Sequence, residues 1–551
     1  MESESSTTSE PRGGRMAWVL AGIAVVVGGA LLAYEAFAPR GLTIIVISLD
    51  TTRPDHMSAY GYGRPTTPNL ARLAREGARF DAAHSSTSWT LPAHMSLFTG
   101  LPPGLHDVNI DFQVLSPERR TMGEIFKGAG YRTMGVFSAP YVHGRYGFSR
   151  GFDYYERGTQ DPMIFDLTPA ERAAEGGARE HRSHTEVTSK MVVDRAIALL
   201  RNSNAENNLL FLHLFDPHYD YMPPVRLAQQ FCDPKYRGTL TGRDIDERQD
   251  VWDATIDEAD KRQLTDLYDA ELAWVDENIG RLLEELAAQE RLDRTLIVFV
   301  GDHGEEFYEH GRYGHRNGLN EQTLHIPLVV WGPGLGVPAG RTIESEVANY
   351  DVLPTLVDYA GLPAEGTLDG RSLRPLIEGR ALPSRPVSSA LTFIPRKPLG
   401  YYTLYRSIVL DGLKVVDVAA VQWSPKDEKK LDGPVLKEPP EVVRVYDIRA
   451  DPLEQHDLAD SKDPRVGPVL AAWSAEYERQ KRLVSGLGGS ATAADGIGLQ
   501  ESLEAFGYVS HDKPEATSPG QPAKDGDEDK DKKKKPQDEA QPDAPAPQEP
   551  K

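Results

Sequence analysis

Short apolar runs and longer amphipathic stretches alternate along this chain. The run Leu42–Asp50 (LTIIVISLD) is rich in β-branched residues and ends in an acid, which predicts a buried central strand. Four later segments repeat this signature: RTMGVFS, NLLFLHLF, TLIVFVGDHG and IPLVVWGPG. Between them lie segments with helical spacing, namely Thr67–Gly77, VTSKMVVDRAIALLRN and LTDLYDAELAWVDENIGRLLEELAAQ. This alternation predicts an α/β fold with a large, mostly parallel sheet that helices cover on both faces.

The pattern changes after about Pro395 to short strand-like segments, YRSIVLDGLKVVDV and VVRVYDI. This change predicts a catalytic domain over residues 42–395 and a small antiparallel C-terminal subdomain over residues 396–511. Two polar, charged stretches, Gly158–His184 and Cys232–Arg262, interrupt the α/β pattern. Each is either a wall of a cleft that selects substrates or a solvated insertion.

Both ends of the chain differ from the globular pattern. Met16–Tyr34 is uncharged and apolar, so we predict one transmembrane helix at residues 16–38. Arg12 and Arg15 precede it, which places residues 1–15 in the cytoplasm and the catalytic domain outside, in the periplasm or at the cell surface. A cleaved signal peptide is the alternative, although a proline would follow the cut at Ala36-Phe37-Ala38. Residues 512–551 are mixed-charge and proline-rich, which predicts a disordered tail.

Charge excludes one class of partner. The 551 residues include 61 basic and 83 acidic side chains, a net charge of −22, which argues against nucleic acid as a partner. An anionic small substrate stays compatible, because a bound metal can invert the local charge. The single cysteine, Cys232, excludes an intramolecular disulfide and a cysteine-rich metal site. The sequence leaves the oligomeric state open.

Polar side chains gather at the ends of three predicted strands. A lone acid at a strand end is often a cap, but several Asp and His residues at one sheet edge fit metal binding better. Such a set, rich in oxygen donors, suits a divalent ion such as Mn²⁺, Zn²⁺, Mg²⁺ or Ca²⁺. The residues concerned are Asp50, His213, Asp216, His218, Asp302 and His303.

The segment TLPAHMSLFTG places Thr90 two residues before Pro92, at the start of a predicted helix that Gly100 ends. A metal beside the Thr90 hydroxyl would lower its pKa and make it a nucleophile, and the helix N-terminus would favour an anionic group there. Alternatively, Thr90 only caps that helix.

Several of these segments resemble the sulfatase family of the alkaline-phosphatase-like superfamily. DTTRPDHMSAYGYGRPTTPNLARLAREGARF is similar to its opening, TLPAHMSLFTG to its nucleophile segment and GDHGEEFYEHGRYGH to its second metal segment. FLHLFDPHYDY, NYDVLPTLVDYAGLP, VYDIRADPLEQHDLAD and ESLEAFGYV resemble later signatures. The resemblance runs from about Leu42 to about Val509, and it implies an alkaline-phosphatase-like three-layer α/β/α sandwich.

Departures from the family pattern concern the chemistry. Thr90 stands where a sulfatase has the cysteine or serine that is oxidised to formylglycine, and the same oxidation of threonine would give a ketone. Thr51 replaces the second aspartate, His94 the arginine after the nucleophile, and His315 a downstream lysine. A Lys-x-His pair is also missing near RTMGVFS. These substitutions resemble the threonine-dependent phosphodiesterase, phosphonate hydrolase and phosphoglycerol transferase branches.

The resemblance implies a role for each residue. Asp50, Thr90, Asp302 and His303 would hold a divalent metal. Thr90 would be the nucleophile, and His218 and His315 would contact the substrate or protonate the leaving group. His94 is a further catalytic candidate, either facing the pocket or facing solvent. Asp216, His218 and His315 could hold a second metal, although two of them serve equally well as hydrogen-bond donors.

Together these features predict a membrane-anchored, metal-dependent hydrolase or transferase that acts on phosphate, phosphonate or sulfate esters through Thr90. Its substrate would be an anionic ester, either a small molecule, a lipid or a glycan. One alternative is a sulfuric ester hydrolase that uses unmodified threonine. The other is a catalytically silent binding protein with the same fold, which the intact set of Asp50, Thr90, Asp302 and His303 disfavours.

Overall fold

The computed structural model describes residues 41–111, 113–158, 187–363, 366, 368–393, 401–422, 442–486 and 492–493. Outside these residues lie segment 1–15, the predicted transmembrane segment 16–38, the tail 512–551, the segment ESLEAFGYV and all but the first residue of the Gly158–His184 stretch. Within the described ranges, no helix has the length and apolar character needed to cross a membrane.

A mixed sheet of eight strands forms the centre of the protein. In chain order its strands are β1 (Thr43–Leu49), β2 (Ala78–Phe80), β3 (Arg132–Phe137), β4 (Tyr154–Arg157), β5 (Asn208–Leu214), β6 (Thr295–Gly301), β7 (Leu328–Trp331) and β8 (Arg341–Ile343). Their spatial order is β8-β2-β7-β6-β1-β5-β3-β4, and only the two pairs formed by β7 are antiparallel. The mostly parallel sheet is therefore confirmed, and all five predicted apolar runs form strands in it.

Helices cover both faces of this sheet. The longer ones are α1 (Pro68–Glu76), α2 (Thr90–Thr99), α3 (Met122–Gly128), α4 (Ser189–Asn202), α5 (Glu258–Ala288), α6 (Val352–Tyr359) and α7 (Val466–Gly486). Short helices span Pro103–His106, Val225–Phe231, Gln249–Trp252, Glu321–Leu324 and Arg374–Ile377. Because side chains alternate along a strand, Ile44 and Val46 of β1 pack in one core with α2, α3 and α6, whereas Ile45 and Ile47 pack in another with α1, α4 and α5. The chain thus forms the expected three-layer α/β/α sandwich.

A second sheet follows, with four antiparallel strands. They are β9 (Val387–Phe393), β10 (Tyr401–Leu410), β11 (Leu413–Gln422) and β12 (Val442–Asp447), and α7 packs against β11. The antiparallel C-terminal sheet is confirmed, but β9 begins before the predicted boundary at residue 395. The sequence of β9, VSSALTF, alternates too weakly to mark a strand, and its pairing with β10 is what defines it.

The register at the centre of the large sheet positions the polar residues. Strand β1 lies between β5 and β6, and Leu49 is aligned with Leu214 on one side and with Gly301 on the other. All three strands run in the same direction. Asp50 and Asp302, which follow directly after β1 and β6, therefore leave the sheet side by side at its carboxyl edge.

Candidate active site

Asp50, Asp302 and His303 form a buried group at this edge. Backbone hydrogen bonds fix both acids, since Asp50 N donates to Leu214 O and Asp302 N donates to Leu49 O, each at 3.1 Å. The Nδ1 atom of His303 lies 2.9 Å from Gly304 O, and because a carbonyl only accepts, Nδ1 carries the proton. Nε2 of His303 therefore presents a lone pair, 3.6 Å from Asp50 Oδ1 and 3.4 Å from Asp302 Oδ2.

Two carboxylate oxygens in this group are unsatisfied. Asp50 Oδ1 and Asp302 Oδ2 are buried without a hydrogen-bond partner among the described residues. Their companion oxygens are in use, because Asp50 Oδ2 lies 3.2 Å from His213 Nε2 and Asp302 Oδ1 accepts the backbone N–H groups of Thr51 and His303. Buried anionic oxygens of this kind are stable only when a cation or a proton compensates them.

Electrostatics of the group agree with this need for a cation. Burial raises the pKa of the Asp50 carboxyl to about 7, against the opposing effects of His315 and the Thr90 hydroxyl. Burial, and next the charge of Asp50, raise the pKa of Asp302 well above its usual range. Burial and the neighbouring His315 lower the pKa of His303 well below its usual range, so this imidazole is neutral. A divalent ion would replace protons here and offset the repulsion between the carboxylates.

The donor set fits a divalent metal ion. One ligand atom from each of Asp50, Asp302 and His303 lies within 4.8 Å of the others. Thr90 adds a hydroxyl, since its Oγ1 lies 3.3 Å from His303 Nε2. Two carboxylates, one imidazole and one hydroxyl are the predicted ligands, and the fold brings all four together.

Thr90 does not cap its helix. The cap position of α2 is Trp89, in extended conformation, and its side chain makes no capping hydrogen bond. Thr90 is the first helical residue, and its buried hydroxyl turns toward His303. Gly100 ends the helix with a φ of 67°, in the left-handed region that glycine adopts without strain. The capping alternative for Thr90 is therefore wrong.

His94 has a different role from the one predicted. Its Nδ1 donates to Thr90 O at 2.8 Å, and its Nε2 lies 2.9 Å from Ser48 Oγ, so both nitrogens are occupied. The ring is fully buried, and burial, followed by nearby His213, lowers its pKa well below the usual range. His94 thus joins the first turn of α2 to β1 as a neutral group. This geometry contradicts the catalytic assignment, and it also weakens a second buried group, His94, His213 and Asp302, as a metal site.

His218 and His315 lie together beside the group formed by Asp50, Asp302 and His303. The His315 ring centroid is 4.6 Å from that of His303 and 5.1 Å from that of His218. His315 Nδ1 contacts Glu305 Oε1 at 2.9 Å, and His218 Nδ1 donates to Tyr219 O at 2.5 Å. Their exposed fractions, 9% and 7%, exceed those of the ligand residues. These two imidazoles are therefore more accessible than that of His303.

The second metal site does not form as predicted. Asp216 is fully buried, and its carboxylate accepts the backbone N–H groups of Thr188 and Ser189 at 2.8–3.0 Å. Its charge therefore satisfies the first turn of α4. Because these hydrogen bonds occupy its carboxylate, Asp216 is not a ligand of the second metal site predicted with His218 and His315.

One neighbour of the site, Glu305, escaped the sequence analysis, and the contacts of two others, His213 and Thr51, are visible only in the structure. His213 contacts Asp50 through Nε2, and burial lowers its pKa to about 3. Glu305 holds His315, and Thr51 is a β-branched residue with a φ of 48° whose N–H and hydroxyl contact Asp302 and Pro217. His213 and Glu305 stand inside segments already singled out, but only the fold shows which way each side chain points.

Comparisons with known proteins identify the family of this chain. The sulfatase family model matches residues 43–362. The chain is 25% identical over 407 residues to the N-acetylglucosamine-6-O-sulfatase of Bacteroides thetaiotaomicron, covering 61% of this chain and 70% of that protein. It is 28% identical over 357 residues to the choline-sulfatase of Rhizobium meliloti, covering 57% and 67% respectively. The solved phosphonate monoester hydrolase of Agrobacterium radiobacter shares the fold, with a TM-score of 0.61, 20% identity and coverage of 80% of this chain and 95% of that one.

Proposed function

This chain belongs to the sulfatase family, and we propose that it is a metal-dependent ester hydrolase whose nucleophile is the unmodified hydroxyl of Thr90. One observation carries the proposal: Thr90 Oγ1 lies 3.3 Å from His303 Nε2, beside the two unsatisfied carboxylate oxygens. Helix capping does not explain the position of this hydroxyl, because the cap residue of α2 is Trp89. When bound, a divalent ion would supply positive charge that lowers the pKa of this hydroxyl and offsets the charge on the transferred group's oxygens.

The residues of the chain would divide the remaining work. Thr90 Oγ1 loses its proton to water and forms a bond to phosphorus or sulfur in line with the ester oxygen, whose bond to that atom breaks. His218 and His315 are placed to give the departing oxygen a proton, and Glu305 fixes the orientation of His315. Water, or an acceptor alcohol in a transferase, then cleaves the threonine ester. His94 keeps the first turn of α2 on β1 throughout.

The charge of the site favours a transferred group with one negative charge. Arg53, on the loop after Asp50, pairs with Asp55 and Glu309, and Arg316, beside His315, pairs with Asp111. These guanidinium groups are already neutralised, and the two accessible imidazoles carry no fixed charge. Phosphodiesters, phosphonate monoesters and sulfate esters each present one negative charge. A phosphate monoester presents two near neutral pH, and this site would accept it poorly.

Sulfuric ester hydrolysis by the same threonine is the second candidate. The observation in its favour is that the family model and both relatives above are named for sulfatases. An anionic small molecule, lipid or glycan is the substrate class in either case. We further propose that residues 16–38 attach the enzyme to a membrane with the catalytic domain outside the cytoplasm.

Turnover of matched aryl esters by the purified full chain tests the proposal. The substrates are bis(4-nitrophenyl) phosphate, 4-nitrophenyl phenylphosphonate, 4-nitrophenyl sulfate and, as the doubly charged control, 4-nitrophenyl phosphate. The variants are Thr90→Val, which keeps the shape of the side chain, Thr90→Ser, which keeps the hydroxyl, and Thr99→Val on the same helix. Each protein is assayed after chelation and again with added Mn²⁺ or Zn²⁺.

We expect Thr90→Val to lose about a thousandfold or more in kcat, because it lacks the nucleophile, and Thr90→Ser to retain most activity. Thr99→Val should match the wild type, since the Thr99 hydroxyl only donates to Met95 O. Faster turnover of the sulfate than of the diester and phosphonate would select the sulfatase alternative. Full activity in Thr90→Val would refute the threonine nucleophile.

A further inference from the structure

We propose that Arg316 is a positioning residue that fixes the Thr90 turn against the loop carrying His315. The inference rests on the proposed function, because it assigns a role within the same site. Arg316 directly follows His315, and the ring on which its guanidinium stacks, Trp89, directly precedes Thr90. One side chain therefore connects the segments that carry the nucleophile and the proposed proton donor.

The guanidinium of Arg316 is held on several sides. Its central carbon lies 3.9 Å from the centroid of the Trp89 ring, a close stacking distance. Its Nη1 and Nη2 lie 3.3 and 3.2 Å from the two oxygens of Asp111, in a two-pronged pair. Tyr141 closes the arrangement, with its hydroxyl 3.5 Å from Nη1 and its ring edge-on to Trp89 at 5.3 Å. We refer to Trp89, Asp111, Tyr141 and Arg316 as the arginine clamp.

The backbone joins the same two segments. Arg316 N donates to Ser88 O at 3.1 Å, two residues before Thr90. Arg316 has a φ of 64°, in the left-handed region that a non-glycine residue enters at a cost. Surrounding contacts must therefore hold this conformation, and those contacts belong to the arginine clamp. A glycine would relieve the strain but would remove the stack on Trp89.

Burial makes the clamp rigid. The Asp111 side chain is 1% exposed and that of Arg316 is 15% exposed, while Trp89 is almost fully buried. Removal of the guanidinium would leave the Asp111 carboxylate buried without its cation and would remove the group that stacks on the Trp89 ring. The Thr90 turn would then move relative to His315, and a misplacement of about 1 Å is enough to cost roughly a hundredfold in rate.

A purely stabilising role is the alternative, and the chain contains a matched control. In the small sheet, Arg406 lies 4.1 Å from the centroid of the Tyr477 ring and pairs with buried Asp417 at 2.7–3.0 Å. This group repeats the chemistry of the arginine clamp on a different sheet. Arg406→Met should cost stability as Arg316→Met does, but it should leave the Thr90 turn ordered.

Hydrogen–deuterium exchange of the peptide Ser86–Leu97 in the full chain tests the clamp without relying on turnover. We expect Arg316→Met to raise exchange in this peptide by about tenfold or more, with a smaller rise in Arg316→Lys, whose ammonium keeps the charge but not the fork. Trp89→Phe, a milder change, should raise exchange in the same peptide. Arg406→Met should leave it unchanged.

Kinetics of the same variants complete the test. Arg316→Met should lower kcat by roughly 10- to 100-fold with KM changed by less than about threefold, and Arg406→Met should change neither. Unchanged exchange in Arg316→Met, or an equal rise across the small sheet, would overturn the proposal. Thr90→Val separates the two ideas: if it stays active, the nucleophile assignment fails, while the exchange result still decides on the clamp.

Discussion

Replacing Lys414 by methionine should destabilise the protein by about 3–5 kcal/mol, the cost of breaking a buried ion pair by removing one partner. The ammonium group lies 2.6 Å from Glu454 Oε1 and 3.5 Å from Glu321 Oε2. The side chains of Lys414, Glu454 and Glu321 are 0%, 3% and 10% exposed, so solvent screens these charges little. Methionine keeps the apolar stem, and the lost stability therefore reports Glu454 left without its cation and Glu321 left with His84 as its partner.

Urea unfolding of the purified chain measures this penalty. Lys190→Met is the control, because Lys190 and Asp194 form a pair whose side chains are 55% and 41% exposed, and its loss should cost less than about 1 kcal/mol. Adding Glu454→Gln and Glu321→Gln to Lys414→Met should restore part of the stability, since the buried charges are then gone. A loss below about 1 kcal/mol in Lys414→Met would refute the reasoning about uncompensated burial.

Acidity should change the size of this penalty. Burial alone would raise the pKa of Glu321, but the charges of His84 and Lys414 outweigh it and hold that pKa well below its usual range. A carboxyl whose pKa is lowered on folding contributes stability above its unfolded pKa and loses it as the pH falls toward the folded value. The difference between Lys414→Met and wild type should therefore be smaller at about pH 4 than at about pH 7, because an unfolded glutamate titrates near 4.3.

Three further measurements test the group formed by Asp50, Asp302 and His303 and the exclusion of Asp216 as a metal ligand. Asp302→Asn should weaken Mn²⁺ binding in calorimetric titrations on the order of 100-fold, and unchanged affinity would remove Asp302 from the site. Mn²⁺ affinity of the wild type should rise with pH through about 7, because metal binding requires loss of the protons that burial holds on Asp50 and Asp302; a flat profile would contradict the raised pKa values. Asp216→Ala should lower the free energy of unfolding by about 1–3 kcal/mol, through the unsatisfied N–H groups of α4, and should leave Mn²⁺ affinity intact. Weakened Mn²⁺ binding in that variant would reinstate Asp216 as a ligand.

The sequence supports the ligand prediction for a geometric reason. The carboxyl ends of neighbouring parallel strands lie at the same edge of a sheet. Asp50 directly follows LTIIVISL and Asp302 directly follows TLIVFVG, so the two acids lie close together because these runs form neighbouring parallel strands. Continuous apolar runs identify such strands reliably, because both of their faces are buried. Asp50, Asp302 and His303 could therefore be grouped without knowledge of side-chain contacts.

Side-chain direction is what the sequence could not supply. His94 follows Thr90 by one helical turn, and only the packing of α2 on β1 shows that its nitrogens meet Thr90 O and Ser48 rather than a pocket. Asp216 lies two residues from His218, yet it turns to the start of α4. In the arginine clamp, Arg316 contacts Tyr141 and Asp111, from which it is separated by 175 and 205 positions. A local sequence pattern does not predict contacts over such separations.

The central position of β1 also constrains when the site can exist. Its ligand side chains and their immediate partners are far apart along the chain: the sequence separation is 163 for Asp50 and His213, 213 for Thr90 and His303, and 251 for Thr51 and Asp302. Contacts of such high sequence separation form late, because long loops must close before they contribute. A nascent chain that has not yet reached Asp302 lacks the imidazole and one carboxylate altogether. A divalent ion, when bound, would therefore follow the pairing of β1 with β6, because that pairing brings Asp302 and His303 beside Asp50.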